Sequence, residues 1–254
     1  MKTLKTLFFA LLISIAIPIH AQTVDEILDN YFENTGGIEN WKNLEGMKMN
    51  AKVNQQGMEI PLEIYQMKDG RQMTKISLQG KEFFQGVFDG ETLWGTNFMN
   101  MKAEKSDAEE TANFKLNAND FPDSFINYKE KGYTAELVGK ETIDGAETFK
   151  IKLIKEPIMV DGNQKDDISF YFFDVDNFVP IAVQSEIQTG PFKGKMGEST
   201  MSDYQEVDGL YFPFSLSQGV KGEQLQPLTI ESIELNPTLD DAAFAFPVEE
   251  VKVD

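Results

Sequence analysis

From Gly46 onward, apolar and polar side chains alternate with a period of two. Met47, Met49, Ala51 and Val53 are interleaved with Lys48, Asn50 and Lys52, and Met58, Ile60, Leu62 and Ile64 with Glu59, Pro61 and Glu63. Successive side chains of an extended chain point to opposite sides, so each stretch predicts a strand with one apolar and one solvated face. Phe149, Ile151 and Leu153 alternate with Lys150 and Lys152 in the same way, and strands are predicted as far as about Leu235. Asp-Gly recurs at Asp69-Gly70, Asp89-Gly90, Asp144-Gly145, Asp161-Gly162 and Asp208-Gly209. Both central residues of a tight hairpin turn take positive φ, which this dipeptide tolerates, so the spacing predicts an antiparallel sheet and not βαβ units.

Two stretches break the alternation. Residues 168–173 and 210–216 are apolar on both faces, so they must be covered on both sides or face a cavity. A helical period governs the start of the domain instead. Val24, Ile27, Leu28, Tyr31 and Phe32 share one helical face behind a capping box of Thr23 and Glu26, and Gly36-Gly37 provides the left-handed exit. A short turn carrying Trp41 follows over residues 38–44. Ser106 with Glu109 reads as a second capping box, predicting a helix to about Lys115 and then helix and loop to Tyr128, inserted between strands.

Ahead of all this, Lys2 and Lys5, the apolar run from Leu7 to Ile17, and Pro18 to Ala21 have the layout of a secretory signal peptide. The run is about half the ~20 residues of a membrane-spanning helix, so cleavage is expected after Ala21. That places residues 22–254 in the periplasm as one domain with no membrane span.

Charge and chemistry narrow the function. Cleavage removes two lysines and no acids, moving the formal net charge from −19 to −21. That sign argues against nucleic acid and against anionic lipid surfaces, both of which need clustered Lys and Arg. The one histidine is His20, inside the expected signal, and there is no cysteine. Ser-His-Asp and Cys-His catalysis, His/Cys zinc sites and disulfides are therefore excluded, and the fold must rest on its core. With 42 acidic residues, no carboxylate pair is informative for glycoside hydrolysis. The stretch from Gly190 to Met196 falls one residue short of a phosphate loop and has Met196 where Ser or Thr is needed. Asp161, Asn163, Asp166 and Asp167, and Asp174, Asp176 and Asn177, lack the glycine and closing glutamate of a calcium loop and read as turns. The expectation is a protein with no catalytic residues, no metal and no cofactor.

Methionine points elsewhere. Met47, Met49, Met58, Met67, Met73, Met99 and Met101 crowd the first third of the domain. This unbranched, polarizable side chain is both a core filler and a surface that refits around flexible acyl chains. With the doubly apolar strands and an amphipathic helix to lay across them, the pattern suggests a curved sheet with an apolar concave side and a helical cover. That is an α+β fold, mainly β.

Several segments resemble outer-membrane lipoprotein-sorting proteins, the relatives of the periplasmic carrier LolA and its acceptor LolB. They are the opening helix running into Tyr31, Thr35-Gly36-Gly37 and Trp41, then Gly139 to Leu153 (GKETIDGAETFKIKL), Tyr204 to Pro213 (YQEVDGLYFP) and Ile233 to Pro247 (IELNPTLDDAAFAFP). The resemblance implies an unclosed β-barrel, a strongly bent antiparallel sheet that holds lipoprotein acyl chains, with the N-terminal helix and the inserted helical segment as lid. Carriers of that family pin the lid with an arginine in the cavity; the single arginine here, Arg71, follows the Asp69-Gly70 turn in a different context. The acceptor is itself lipid-anchored, which a chain without cysteine does not match.

The expected function is thus a carrier or binder of lipoproteins or other acyl-chain ligands, with lipoprotein-release or acceptor proteins as partners. Met47, Met49, Val53, Ile60, Leu62, Ile64, Phe170 and Phe172 are expected to line the cavity, and Val24, Ile27, Leu28 and Tyr31 to form the lid. The alternative is an envelope interaction or sensor module that holds a protein in the same half-barrel.

Overall fold

The computed structural model describes residues 22–55 and 57–247; the expected signal peptide lies outside them. Thr23 caps α1 (Val24–Asn34): its hydroxyl accepts from the Glu26 amide, and the Glu26 carboxylate accepts from the Thr23 amide at 2.8 Å. Gly36 and Gly37 leave the helix at φ 108° and 91°. Gly36 is required for a second reason, since a Cβ there would lie 2.1 Å from the Gly209 carbonyl oxygen. The turn around Trp41 is a short helix, α2 (Ile38–Lys42).

Six strands follow: β1 (Gly46–Gln55), β2 (Met58–Met67), β3 (Gln72–Leu78), β4 (Lys81–Phe88), β5 (Leu93–Asn97) and β6 (Lys102–Lys105). Helix α3 (Ala108–Ala118) and a loop over residues 119–133 lead to β7 (Thr134–Ile143) and β8 (Ala146–Ile154). A small hairpin, β9 (Ile158–Val160) and β10 (Asn163–Lys165), precedes β11 (Ile168–Asp174), β12 (Pro180–Glu186), β13 (Met196–Val207), β14 (Leu210–Val220) and β15 (Gln226–Leu235). A 3-10 turn (Asp241–Phe244) ends the described chain.

Thirteen strands form one antiparallel sheet in the order β6-β5-β4-β3-β2-β1-β15-β14-β13-β12-β11-β8-β7, a half-barrel that does not close. The first and last strands pair at its centre, and the two outermost strands, β6 and β7, are joined through α3. Of the five Asp-Gly pairs, those at Asp144, Asp161 and Asp208 form two-residue hairpin turns with both residues at positive φ. Gln79-Gly80 makes the same turn without the aspartate, whereas Asp69-Gly70 and Asp89-Gly90 lie in longer connections.

The sheet is covered differently on its two faces. On the inner face α1, α2 and the loop after α3 pack over β7, β8, β11 and β14, burying Ile27, Leu28, Tyr31, Phe32, Ile151 and Phe173. α3 lies on the same side, with Phe114 and Ala118 against Phe88 and Leu93. On the outer face Phe244 seals Tyr65, Met73, Val87 and Trp94. The N-cap of α3 is Asp107 and not Ser106, its carboxylate accepting from the Glu110 amide at 2.8 Å. Glu109, freed from capping, accepts from the Asp161 and Gly162 amides at 2.9 and 2.8 Å, tying α3 to the β9–β10 turn.

Candidate functional site

Period-two alternation places the apolar residues of β1 and β2 together. Met49 stands opposite Ile64, Ala51 opposite Leu62 and Val53 opposite Ile60, while β15 adds Leu228, Ile230 and Ile233 on the other flank of β1. Ala51, Leu62 and Ile230 are buried at the centre of this surface; Met49, Val53, Ile64, Ile76, Leu216 and Leu228 around them are only half-buried. No helix packs on this part of the inner face among the described residues. Phe214 and Ile233 border both this surface and the helix-covered core, so the two are continuous.

Six of the eight cavity residues expected from sequence therefore share one face, with Met47 at its helix-covered border. Phe170 and Phe172 do not join them. They sit opposite Lys152 and Lys150, and the Lys150 ammonium lies 4.9 and 5.2 Å from their ring centroids, on the outer face. The inward aromatics of that strand are Tyr171 and Phe173, opposite Ile151 and Phe149. Met73 is also an outer-face residue, and Met99 and Met101 are exposed, so the methionines do not form one lining.

Val24, Ile27, Leu28 and Tyr31, expected from the sequence to form a lid, pack on the inner face over the β7–β8–β11 side. Tyr31 donates from its hydroxyl to Asp123 Oδ2 at 2.9 Å. Burial, reinforced by the Asp123 charge, holds the Tyr31 phenol well above its ordinary range, so it stays a donor. Burial also raises Asp123, against hydrogen bonds from the Phe125 amide and Tyr31. Tyr171 nearby is pushed up to about 12 by burial.

The inserted helix is fixed by a lysine that the sequence did not single out. Lys155 Nζ lies 2.9 Å from Asp120 Oδ2, 3.1 Å from Asp167 Oδ2 and 3.0 Å from Asn117 Oδ1, with its side chain 12% exposed. Desolvation works against this cation, but the two carboxylates outweigh it and raise its pKa. Between α3 and the ends of β11 and β12 lies a cavity of about 590 Å³ that includes Asn113, Phe114, Lys155, Ser169, Ser185 and Gln188. Arg71 lines a smaller pocket with Asn117, Ala118 and Asp120 at the other end of α3. It pairs with Asp69 and Asp241 and lies 5.1 Å from the Phe244 ring centroid, securing the C-terminal segment on the outer face.

No protein-family profile matches the chain, and no curated protein matches it in sequence. Solved structures do match. A LolA superfamily protein from Nitrosomonas europaea aligns over 89% of this chain and 98% of its own, with a TM-score of 0.53 at 13% identity. The chain has a LolA-like fold. A DUF1329 family protein from Desulfovibrio piger matches to the same extent, with a TM-score of 0.53, 13% identity and coverage of 89% and 98%. A domain described as an outer membrane lipoprotein-sorting protein from Vibrio parahaemolyticus follows at 0.51 and 11% identity, covering 86% of this chain and 94% of its own. In this LolA-like half-barrel the apolar surface around Leu62 is part of the inner face, the side on which α1, α2 and α3 lie. No described helix is long and apolar enough to cross a membrane.

Proposed function

We propose that this protein is a periplasmic carrier or binder of lipoproteins, or of other acyl-chain ligands, and that it performs no covalent chemistry. The observation that carries the reading is the half-covered apolar surface around Ala51, Leu62 and Ile230, on the face where the rest of the sheet is packed under helices. Met47, Met49, Val53, Ile60, Leu62 and Ile64 are the proposed contacts. Burying about ten methylenes at ~0.8 kcal/mol each gives about 8 kcal/mol, or roughly micromolar affinity, which permits both carriage and release. Its partners would be envelope proteins that release or accept lipoproteins.

Native mass spectrometry of the mature protein taken from its own periplasm tests this directly, with bound lipid or lipoprotein as the expected result. Ile64→Trp adds the residue-level test. Ile64 is half-buried, so the larger side chain should enter open space, displace a fluorescent fatty acid and leave the melting temperature nearly unchanged. In a closed core the same change would overpack and destabilise by about 1 to 3 kcal/mol. That loss, with probe binding intact, would remove the surface from consideration as a ligand site.

A further inference from the structure

Helix α3 bridges the two arms of the half-barrel. On one side Phe114 meets the ring of Phe88 in β4 edge-on, with 5.4 Å between centroids. On the other, Asn113 and Glu109 bond the β9–β10 hairpin, and Asn117 accepts from Lys155. Beneath this bridge, against β11 and β12, lies the cavity of about 590 Å³. Strand register connects it to the apolar inner surface. The row Ile60, Val53, Leu228, Leu216 and Met201 crosses from β2 to β13. Ser199, two residues before Met201 on the same face, stands opposite Val183, and two residues beyond Val183 is Ser185 in the cavity wall.

Two polar groups of this wall have no protein partner. Ser169, opposite Ser185 on the inner face, is 9% exposed, and its hydroxyl makes no hydrogen bond among the described residues. Gln188 donates to the Glu186 carbonyl at 3.1 Å, but its Oε1 is buried without a donor. Buried polar groups left unpaired cost free energy, so a ligand that brings hydrogen-bond donors is favoured here.

Charge decides which donor fits. The carboxylates of Asp107, Glu109, Glu110, Asp167 and Glu186 surround the cavity against the single ammonium of Lys155. Lys155 has three N–H donors and meets three acceptors, on Asp120, Asp167 and Asn117, so none is left for an anion. Glu186 is paired with Lys165, whereas Asp107, Glu109 and Glu110 have no ion-pair partner among the described residues. Backbone amides orient Asp107 and Glu109 without cancelling their charge.

We propose that this cavity takes the primary ammonium group of an amphiphile whose acyl chain lies on the apolar inner surface. An alkylammonium brings three N–H donors to hydroxyl and carboxylate acceptors, and the acidic mouth attracts its charge, whereas a carboxylate or phosphate head is repelled there. The inference rests on the carrier reading and adds a headgroup class to it, amine-bearing lipids over fatty acids.

Displacement of a fluorescent fatty acid from the mature protein, at neutral pH and low salt, compares dodecylamine, dodecanoate and monododecanoylglycerol, which share one chain length. Dodecylamine should bind about tenfold tighter than dodecanoate, and tighter than the uncharged glyceride. Glu110→Gln combined with Ser169→Ala should erase that preference and leave glyceride affinity nearly unchanged, because the inner surface is intact. Asp208→Asn removes a charge from a turn outside the cavity and should leave the preference as it is. Ile64→Trp should weaken all three ligands alike. Equal affinity for the three, or a preference for the glyceride, would overturn the ammonium site while the carrier reading stands. An amine preference that survives the double variant, that falls equally in Asp208→Asn, or that disappears only because the double variant loses all three ligands together, would do the same. Displacement by none of the three would overturn both.

Discussion

Glu63 shows how the outer face is held. Its carboxylate lies 3.0 Å from Lys48 and 2.5 Å from Lys75, and accepts from the Tyr65 hydroxyl at 2.6 Å. Burial alone would raise its pKa, but these three donors prevail and bring it down to about 2. A depressed carboxylate stabilises the fold above its ordinary pKa, and that contribution is lost as pH falls from 4.5 toward 2. Glu63→Gln should therefore flatten the acid-unfolding profile across this window, removing about 1 to 2 kcal/mol of pH dependence after allowance for the water that reaches the group. An unchanged profile would mean the lysines are held elsewhere. The same scale shows what was legible in the sequence. Lys48, Asn50 and Lys52 mark the polar face of β1, so Met49, Val53 and their β2 partners could be placed correctly. Residues 168–173 offer no polar face, and either parity fits. The decision lies in the neighbouring strand, whose Lys150 and Lys152 oppose Phe172 and Phe170 and carry them outward, and pairing register cannot be read from either strand alone.

The elements differ in how they are tied down. Helix α3 has a weakly sorted sequence, and only Ala118 within it is buried. Its position depends on polar ties: Asn113 exchanging two hydrogen bonds with Met159, Glu109 on the β9–β10 turn, and Lys155 between Asp120 and Asp167. Lys155→Met should leave Asp167 without its cation and Asp120 with only Lys131, 3.4 Å away, and destabilise by about 3 kcal/mol. Amide exchange in α3 should rise well before that in β1 and β2. Uniform acceleration through the sheet would show instead that α3 and the sheet open as one unit. The C-terminal segment behaves oppositely, because apolar contact dominates. Phe244 is fully buried, its carbonyl accepts from the Trp94 indole at 2.9 Å, and Phe246 meets the Trp94 ring edge-on. Phe244→Ala is expected to lower stability by about 3 to 5 kcal/mol, read by chemical denaturation, with probe binding at the proposed inner-face surface unaffected. Neither tie was visible in the sequence. Capping boxes and Asp-Gly turns are local signals, whereas Lys155 and Phe244 act across distances that only the folded sheet sets.

For the molecule as a whole, a chain of net charge −19 keeps an apolar surface on the inner face of its sheet. The resemblance in the sequence foresaw the half-barrel because its segments are turns and core positions, which specify a fold more than a ligand. The central pairing of β1 with β15 bears on the order of assembly. Asn50 donates to Ser232 across 182 residues of chain, and each strand of this pair joins a meander that is otherwise built from neighbours in sequence. The two meanders form from local contacts, but the seam between them needs the last strand to arrive. Until then β1 is an unpaired edge with exposed backbone donors and acceptors, a template for the wrong partner. Such high contact order favours slow folding, and a chain cut before residue 226 should be prone to aggregate instead of forming a smaller stable sheet. A protein whose first and last strands meet only at completion stays unfinished until its final strand is available, so the seam that unites the half-barrel also acts as a timer on its folding.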